Sequence, residues 1–183
     1  RGYIGGGSRY GGTSACTVQY DGIFFCECDK DMKKVMMIGK TQAGKTSLCQ
    51  ILNNEKMQYC KTQSMEIIGG RLLDTPGEYL ERPGMKGALN VTAADVDLIF
   101  FVQSASDESS MFPPGYAGSF MKPCIGIVTK ADLASEEQIG QAKKLLRMAG
   151  AKEVVVTSSV CKTGFEELFE ILKEQEGSIR GGL

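Results

Sequence analysis

Apolar and polar positions change period several times along this chain, and the order of the changes defines an architecture. Short apolar runs predict strands at 34–38, 65–68, 71–74, 97–103, 124–128 and 153–157, each bounded by glycine or polar residues. Helical spacing takes over at 45–53, 135–148 and 164–175. In the second of these, Ile139, Ala142, Leu145, Leu146 and Ala149 return to one face behind Ser135, a capping serine followed by the acidic pair Glu136 and Glu137. Strands alternating with helices predict an α/β fold, a three-layer αβα arrangement with a mostly parallel sheet of about six strands.

Residues 1–31 do not share this rhythm. The first twelve are rich in glycine, with Tyr3, Arg9 and Tyr10 among them, a composition that buries little surface and predicts a flexible tail. Gly/Arg/Tyr segments also suit single-stranded RNA, but so short a stretch offers little contact area, and the unstructured tail is the expectation. Cys16-Thr17-Val18 and Gly22-Ile23-Phe24-Phe25 predict a hairpin across Asp21-Gly22. Met32 stands directly before the first core strand and is a candidate natural start. The expected organisation is a flexible or irregular N-terminal extension over 1–31 and a nucleotide-binding domain over 32–183.

Composition narrows the function classes. With 183 residues, 42% of them hydrophobic, the chain can build one sizeable core. The balance of 21 basic against 22 acidic residues gives no general attraction to nucleic acid or to an anionic membrane. No run approaches the roughly 18 apolar residues of a membrane span, and no basic-then-apolar leader follows Arg1. Seven cysteines at scattered positions suit a reducing compartment, so a cytoplasmic protein is expected. The absence of histidine removes His-dependent triads and His-containing zinc sites. Cys26-Glu27-Cys28 is the one close cysteine pair, better explained as part of a strand than as a metal or redox site.

The chemistry concentrates at Gly39-Lys40-Thr41-Gln42-Ala43-Gly44-Lys45-Thr46, which fits G-x-x-x-x-G-K-S/T at every fixed position. It follows the apolar run Val35-Met36-Met37-Ile38 and leads through Ser47 into a helix, the strand-loop-helix setting of a phosphate-binding loop. A triphosphate needs closely spaced donors. Backbone N–H groups around Gly39 and Gly44, with the positive end of the next helix, supply them. Lys45 is expected to reach the outer phosphates and the Thr46 hydroxyl to ligate Mg²⁺.

Two further motifs follow in order. Asp74-Thr75-Pro76-Gly77 ends an apolar run, so Asp74 is expected to hold Mg²⁺ through water and Gly77 to offer its N–H to the γ-phosphate. Thr129-Lys130-Ala131-Asp132 follows the buried-strand pattern at 124–128. Guanine presents two N–H donors on one edge where adenine presents none, so the Asp132 carboxylate selects guanine while the Lys130 stem packs over the base. Thr157-Ser158-Ser159 closes the last strand, and the Ser159 N–H is placed to meet the guanine O6.

Taken together, GKTQAGKT, DTPG, TKAD and TSSVCKTG resemble small GTPases of the translation-factor type. More narrowly, MKKVMMIGKTQAGKTSLCQ, DTPGEY, VTAAD, DESSMFPPGY and KPCIGIVTKADL resemble the EutP and PduV family, from Met32 to about Leu172. The resemblance implies a cytosolic bacterial protein encoded with microcompartment-based breakdown of ethanolamine or propanediol, with shell or enzyme proteins of the compartment as candidate partners. The family includes members described as GTPase-like and EutP-type members described as ATP-dependent acetate kinases.

Glu78 stands where a Ras-like switch usually has a water-orienting glutamine. A carboxylate there can accept a proton from water, but its charge beside the γ-phosphate is unfavourable, so slow intrinsic hydrolysis is expected. Thr62, in the polar segment 54–64, is the candidate to close over Mg²⁺. Three functions follow: a Mg²⁺-dependent GTPase or switch, an ATP-dependent acetate kinase with Arg71 or Arg82 as the acetate-binding cation, and a binding module reporting nucleotide state to a partner. For the third, Met111, Phe112 and Tyr116 on the proline-broken stretch 107–116 offer a docking surface, the alternative being that this loop folds back on the sheet.

Overall fold

The computed structural model describes residues 17–20, 23–26, 33–53, 66–68 and 71–173. The chain divides into two compact units, Arg1–Asp31 and Met32–Leu183. In the first, β1 (Thr17–Tyr20) and β2 (Ile23–Cys26) pair antiparallel with Tyr20 opposite Ile23, so only Asp21 and Gly22 join them. A two-residue connection of this composition is what a tight hairpin demands. Cys28 of the close cysteine pair, the glycine-rich first twelve residues and Thr62 lie outside the described residues.

The second unit is built on a six-stranded sheet in the order β4 (Glu66–Ile68), β5 (Leu72–Asp74), β3 (Val35–Gly39), β6 (Leu98–Ser104), β7 (Cys124–Thr129) and β8 (Val154–Val156). Strands β5, β3, β6, β7 and β8 run parallel, and β4 pairs antiparallel with β5 at the edge. Strands β3, β6 and β7 are buried along their whole lengths. That is why they read as continuous apolar runs and not as alternating ones: helices cover both sides of a parallel sheet.

Alternate residues sort to the two faces. Met36, Ile38, Ile99, Phe101 and Val128 belong to one buried cluster with Leu89 of α3 (Lys86–Thr92) and with Ala142 and Leu146 of α4 (Glu136–Met148). Gly126 lets α4 lie close, since a Cβ there would stand 3.0 Å from that of Leu146. The opposite face carries Met37, whose Sδ lies 3.2 Å from Cys49 Sγ on α1 (Lys45–Leu52). On that side α5 (Phe165–Lys173) ends against the start of β3, where Lys33 N–H donates to Leu172 O at 3.3 Å. The result is a three-layer αβα fold.

The predicted cap of α4 is present in both halves: Gln138 N–H donates to Ser135 Oγ at 3.3 Å and Ser135 N–H donates to Gln138 Oε1 at 2.9 Å. Two short helices were not predicted, α2 (Glu78–Glu81) and α3. Pro83, Gly84 and Gly87 break any helical period there. The helices form because Leu80 and Leu89, 1% and 0% exposed, anchor them in the core.

The stretch 107–116 folds back on the sheet, and its aromatic rings present no docking surface. Phe112 stacks on Phe101 with centroids 4.7 Å apart, and Tyr116 meets Phe120 edge-on at 5.2 Å. Gly115 N–H and Ala117 N–H donate to Met148 O and Ala149 O, pinning the loop to the end of α4. The buried area of three aromatic rings outweighs the solvation of a loop whose polar residues suggested a surface excursion. Met111 is left partly exposed.

Candidate functional site

The residues predicted for the phosphate loop, the metal ion and the base that lie within the described segments sit at the carboxyl ends of the parallel strands, the edge at which open α/β sheets bind ligands. Strand β3 delivers Gly39, where a Cβ would lie 2.3 Å from Val102 O of β6, so only glycine allows the strand to end here. The loop then turns through Gln42 and Gly44, both left-handed at φ 64 and 93, with Ala43 N–H donating to Lys40 O at 3.1 Å. Gly44 is the N-cap of α1 and supplies no side chain to the helix amides. The first turn of α1 thus has no side-chain cap, and its positive dipole end faces the loop, a setting suited to an anion. Ser47 lies in the first turn of α1.

Lys45 is 5% exposed and folds back onto its own loop, its Nζ donating to Gly39 O at 2.8 Å and Lys40 O at 2.9 Å. Burial lowers its pKa, and the charges of Asp74, Glu81 and Cys49 oppose that shift. Thr46 Oγ1 donates to Asp74 Oδ2 at 2.7 Å, and Asp74 is fully buried at the end of β5. A hydroxyl and a carboxylate oxygen at that separation are hard donors suited to Mg²⁺, which commonly takes its other ligands from water and substrate phosphate. The residues therefore fit the ion.

The loop after β5 is pressed against the phosphate loop. Thr75 Oγ1 donates to Met37 O at 2.5 Å, and a Cβ on Gly77 would stand 2.2 Å from Thr41 N. Glu78 opens α2 and pairs with Arg82 at 3.4 Å. Three residues on, Glu81 turns to the phosphate loop, where its Oε1 accepts from Thr41 N–H at 2.8 Å. That hydrogen bond holds its carboxyl below the usual range, helped by Lys40 and Lys45. Glu81 was not among the residues singled out from sequence. Its one signal is the three-residue offset from Glu78, which means something only once 78–81 is known to be helical.

At the other end of the site, Thr129 is 3% exposed and its Oγ1 donates to Ala43 O at 2.6 Å. The first residue of the TKAD motif thus braces the phosphate loop from across the sheet. Lys130 takes φ 57 and starts the short turn Ala131–Leu133 that carries the exposed Asp132. Ser158 Oγ donates to Asp132 Oδ1 and accepts from Cys161 N–H at 3.0 Å. Ser158 and Thr163 exchange backbone hydrogen bonds at 3.2 Å, closing the loop that holds the partly exposed Ser159. Of the two arginines named as acetate ligands, Arg82 is the C-cap of α2 and pairs with Glu78 one turn back. Arg71 lies at the opposite end of the sheet, where its carbonyl accepts from Val35 N–H at 2.9 Å.

Residues 32–174 match the PduV-EutP family, described as "Ethanolamine utilisation - propanediol utilisation". The chain is 43% identical over 147 residues to "Propanediol utilization protein PduV" of Citrobacter freundii, covering 80% of this chain and 97% of that one. It is 31% identical over 151 residues to "Probable acetate kinase EutP" of Escherichia coli (strain K12), covering 81% and 86%. A shorter match, 58% identical over 55 residues, is to "Protein YoeF" of the same strain, covering 30% and 47%. Among the described residues no helix is long and apolar enough to cross a membrane. On the family match and the length of these alignments, the chain belongs to the PduV-EutP family of ethanolamine and propanediol utilisation proteins.

Proposed function

We propose that this protein binds a guanosine triphosphate with Mg²⁺ and acts as a slow GTPase or nucleotide-dependent switch in ethanolamine or propanediol utilisation. The observation that carries this reading is the gathering of Lys45, Thr46 and Asp74 at one end of a single sheet edge with Asp132 and Ser158 at the other. The amides of the loop and of the α1 N-terminus bind phosphate, and Lys45 leaves two loop carbonyls for the outer phosphates. Thr46 and Asp74 hold the Mg²⁺, which neutralises phosphate charge when bound. Gly77 offers its N–H to the γ-phosphate. Asp132 accepts from the guanine N–H edge, Lys130 packs over the base and Ser159 N–H meets O6. Titration calorimetry with GTP and with ATP, each with Mg²⁺, tests this; a clear preference for ATP removes the guanine assignment.

A second reading is transfer of the γ-phosphoryl group of ATP to acetate, a carboxylate oxygen replacing water as the in-line nucleophile. The description of the EutP relatives as probable acetate kinases supports it, with Arg82 at the end of α2 as the candidate cation to orient a small carboxylate. Hydroxamate trapping of acetyl phosphate decides between the two, since only the kinase forms that product. In either case the protein works in the cytoplasm, with shell or enzyme proteins of a microcompartment as candidate partners.

A further inference from the structure

The phosphate loop is not bare at its outer end. Glu81 reaches across from α2 and sets a carboxylate oxygen 2.8 Å from Thr41 N, with Thr41 N–H as donor. Thr41 is the loop residue that touches Gly77: a Cβ on Gly77 would stand 2.2 Å from Thr41 N and 2.6 Å from Thr41 Oγ1. Gly77 is the residue assigned above to the terminal phosphate, so Thr41 belongs to the same outer end of the loop. The backbone of Gly44, Lys45 and Thr46, to which the reading above brings the inner phosphates, lies at the other end of the loop where α1 begins.

A carboxylate on a backbone N–H of an anion-binding loop is an anion in an anion's place. We infer that Glu81 is a specificity-determining residue of this site, an internal competitor that a triphosphate must displace and a diphosphate leaves seated. The inference rests on the nucleotide-binding reading above. Its consequence for recognition is a selective handicap: a diphosphate seated on the inner amides leaves the Glu81 to Thr41 hydrogen bond intact, whereas a terminal phosphate brings negative charge to the same donor. The charges facing Glu81 are Lys40 and Lys45 from the loop and, on its own element, the Glu78 and Arg82 pair. Displacement is easy to drive because Glu81 is exposed and α2 is only four residues long. Once Glu81 leaves, α2 loses this tie to the phosphate loop, so the presence of a third phosphate is relayed to the surface of α2.

Two measurements on the full chain test this. The first is titration calorimetry, with Mg²⁺, of a non-hydrolysable GTP analogue and of GDP against wild type and Glu81→Gln. The glutamine keeps the length of the side chain and removes its charge at an exposed position, so the fold is retained. Affinity for the triphosphate analogue is expected to rise about 3- to 10-fold, the scale of one exposed charge-assisted contact, with GDP changed by less than about twofold. An equal gain for both nucleotides, no gain, or a loss for the triphosphate overturns the inference. The second needs no nucleotide: the amide resonance of Thr41 is followed while pH is lowered through the carboxylate range. In wild type it shifts as Glu81 takes up a proton, and in Glu81→Gln it does not. Identical Thr41 titrations in the two proteins overturn the contact itself. Should wild type bind neither nucleotide while Thr41 still titrates, the nucleotide reading fails and the contact stands.

Discussion

The two ends of the site are built on different principles. At the phosphate end the working groups are already engaged with one another, Lys45 and Asp74 in buried positions: Lys45 on loop carbonyls, Thr46 on Asp74, Thr41 on Glu81. Backbone segments touch so closely at Gly39 and Gly77 that no side chain fits. At the base end Asp132 is exposed on a short turn, steadied by one hydroxyl from Ser158. Rigid, buried donors suit a ligand part shared by all nucleotides, where affinity comes from charge. A few edge contacts suit the part that differs between nucleotides, where discrimination comes from leaving the wrong base unpaired. Affinity should therefore belong to one end and selectivity to the other.

The sharpest break of that division is Lys45→Ala. Losing a charged donor with two short hydrogen bonds to offer is expected to weaken GTP and ATP alike by about 100-fold or more. The melting temperature of the nucleotide-free protein should change little, because removing a desolvated cation offsets the loss of its two hydrogen bonds to loop carbonyls. Undiminished affinity in calorimetry would overthrow the whole assignment of the loop.

Asp132→Asn comes next. It keeps an acceptor for Ser158 but places an amide N–H₂ before the base, so the GTP to ATP preference should fall about 10- to 100-fold while phosphate-driven affinity persists. Competition binding reads the ratio directly, and an unchanged ratio would move base selection elsewhere. Thr129→Val blurs the division on purpose. It strips the hydroxyl that holds Ala43 O, leaving a buried carbonyl unsatisfied at a cost of about 1–3 kcal/mol. A base-motif residue should then weaken both nucleotides by about tenfold without altering their ratio; a selective loss of GTP would mean that Thr129 reports on the base.

The smallest effect is one of acidity. The Glu81 pKa is lowered in the fold, so the stability it adds is fully present above the ordinary carboxyl value of 4.5 and disappears as pH falls through the folded value. Denaturation curves for wild type and Glu81→Gln should converge in acid and separate slightly near neutrality, by well under about 1 kcal/mol for so exposed a group. Curves that diverge further in acid would contradict the sign.

Much of this architecture is legible in the sequence. Strands β3, β6 and β7 are short apolar runs, and β3 and β7 each run directly into a motif, so their ends and their chemistry marked each other. The capping box of α4 was legible for the same reason, since Ser135 and Gln138 act locally. What escaped depends on tertiary anchors. Helices α2 and α3 exist because Leu80 and Leu89 reach the core, although Pro83, Gly84 and Gly87 deny them a period. Glu81 escaped with them, because its approach to Thr41 needs the helix first. Thr129 has no role readable from sequence beyond its place in the base motif, and its hold on Ala43 spans 86 positions, a distance no local pattern can report.

That long-range strap also sets a schedule for the growing chain. The loop 39–46 leaves the ribosome early, yet the hydroxyl that fastens its Ala43 carbonyl arrives only with β7. Until the segment carrying Thr129 has been made and paired with β6, the loop lacks its brace. A nascent fragment ending before that point would carry the complete phosphate-binding signature and still hold nucleotide poorly.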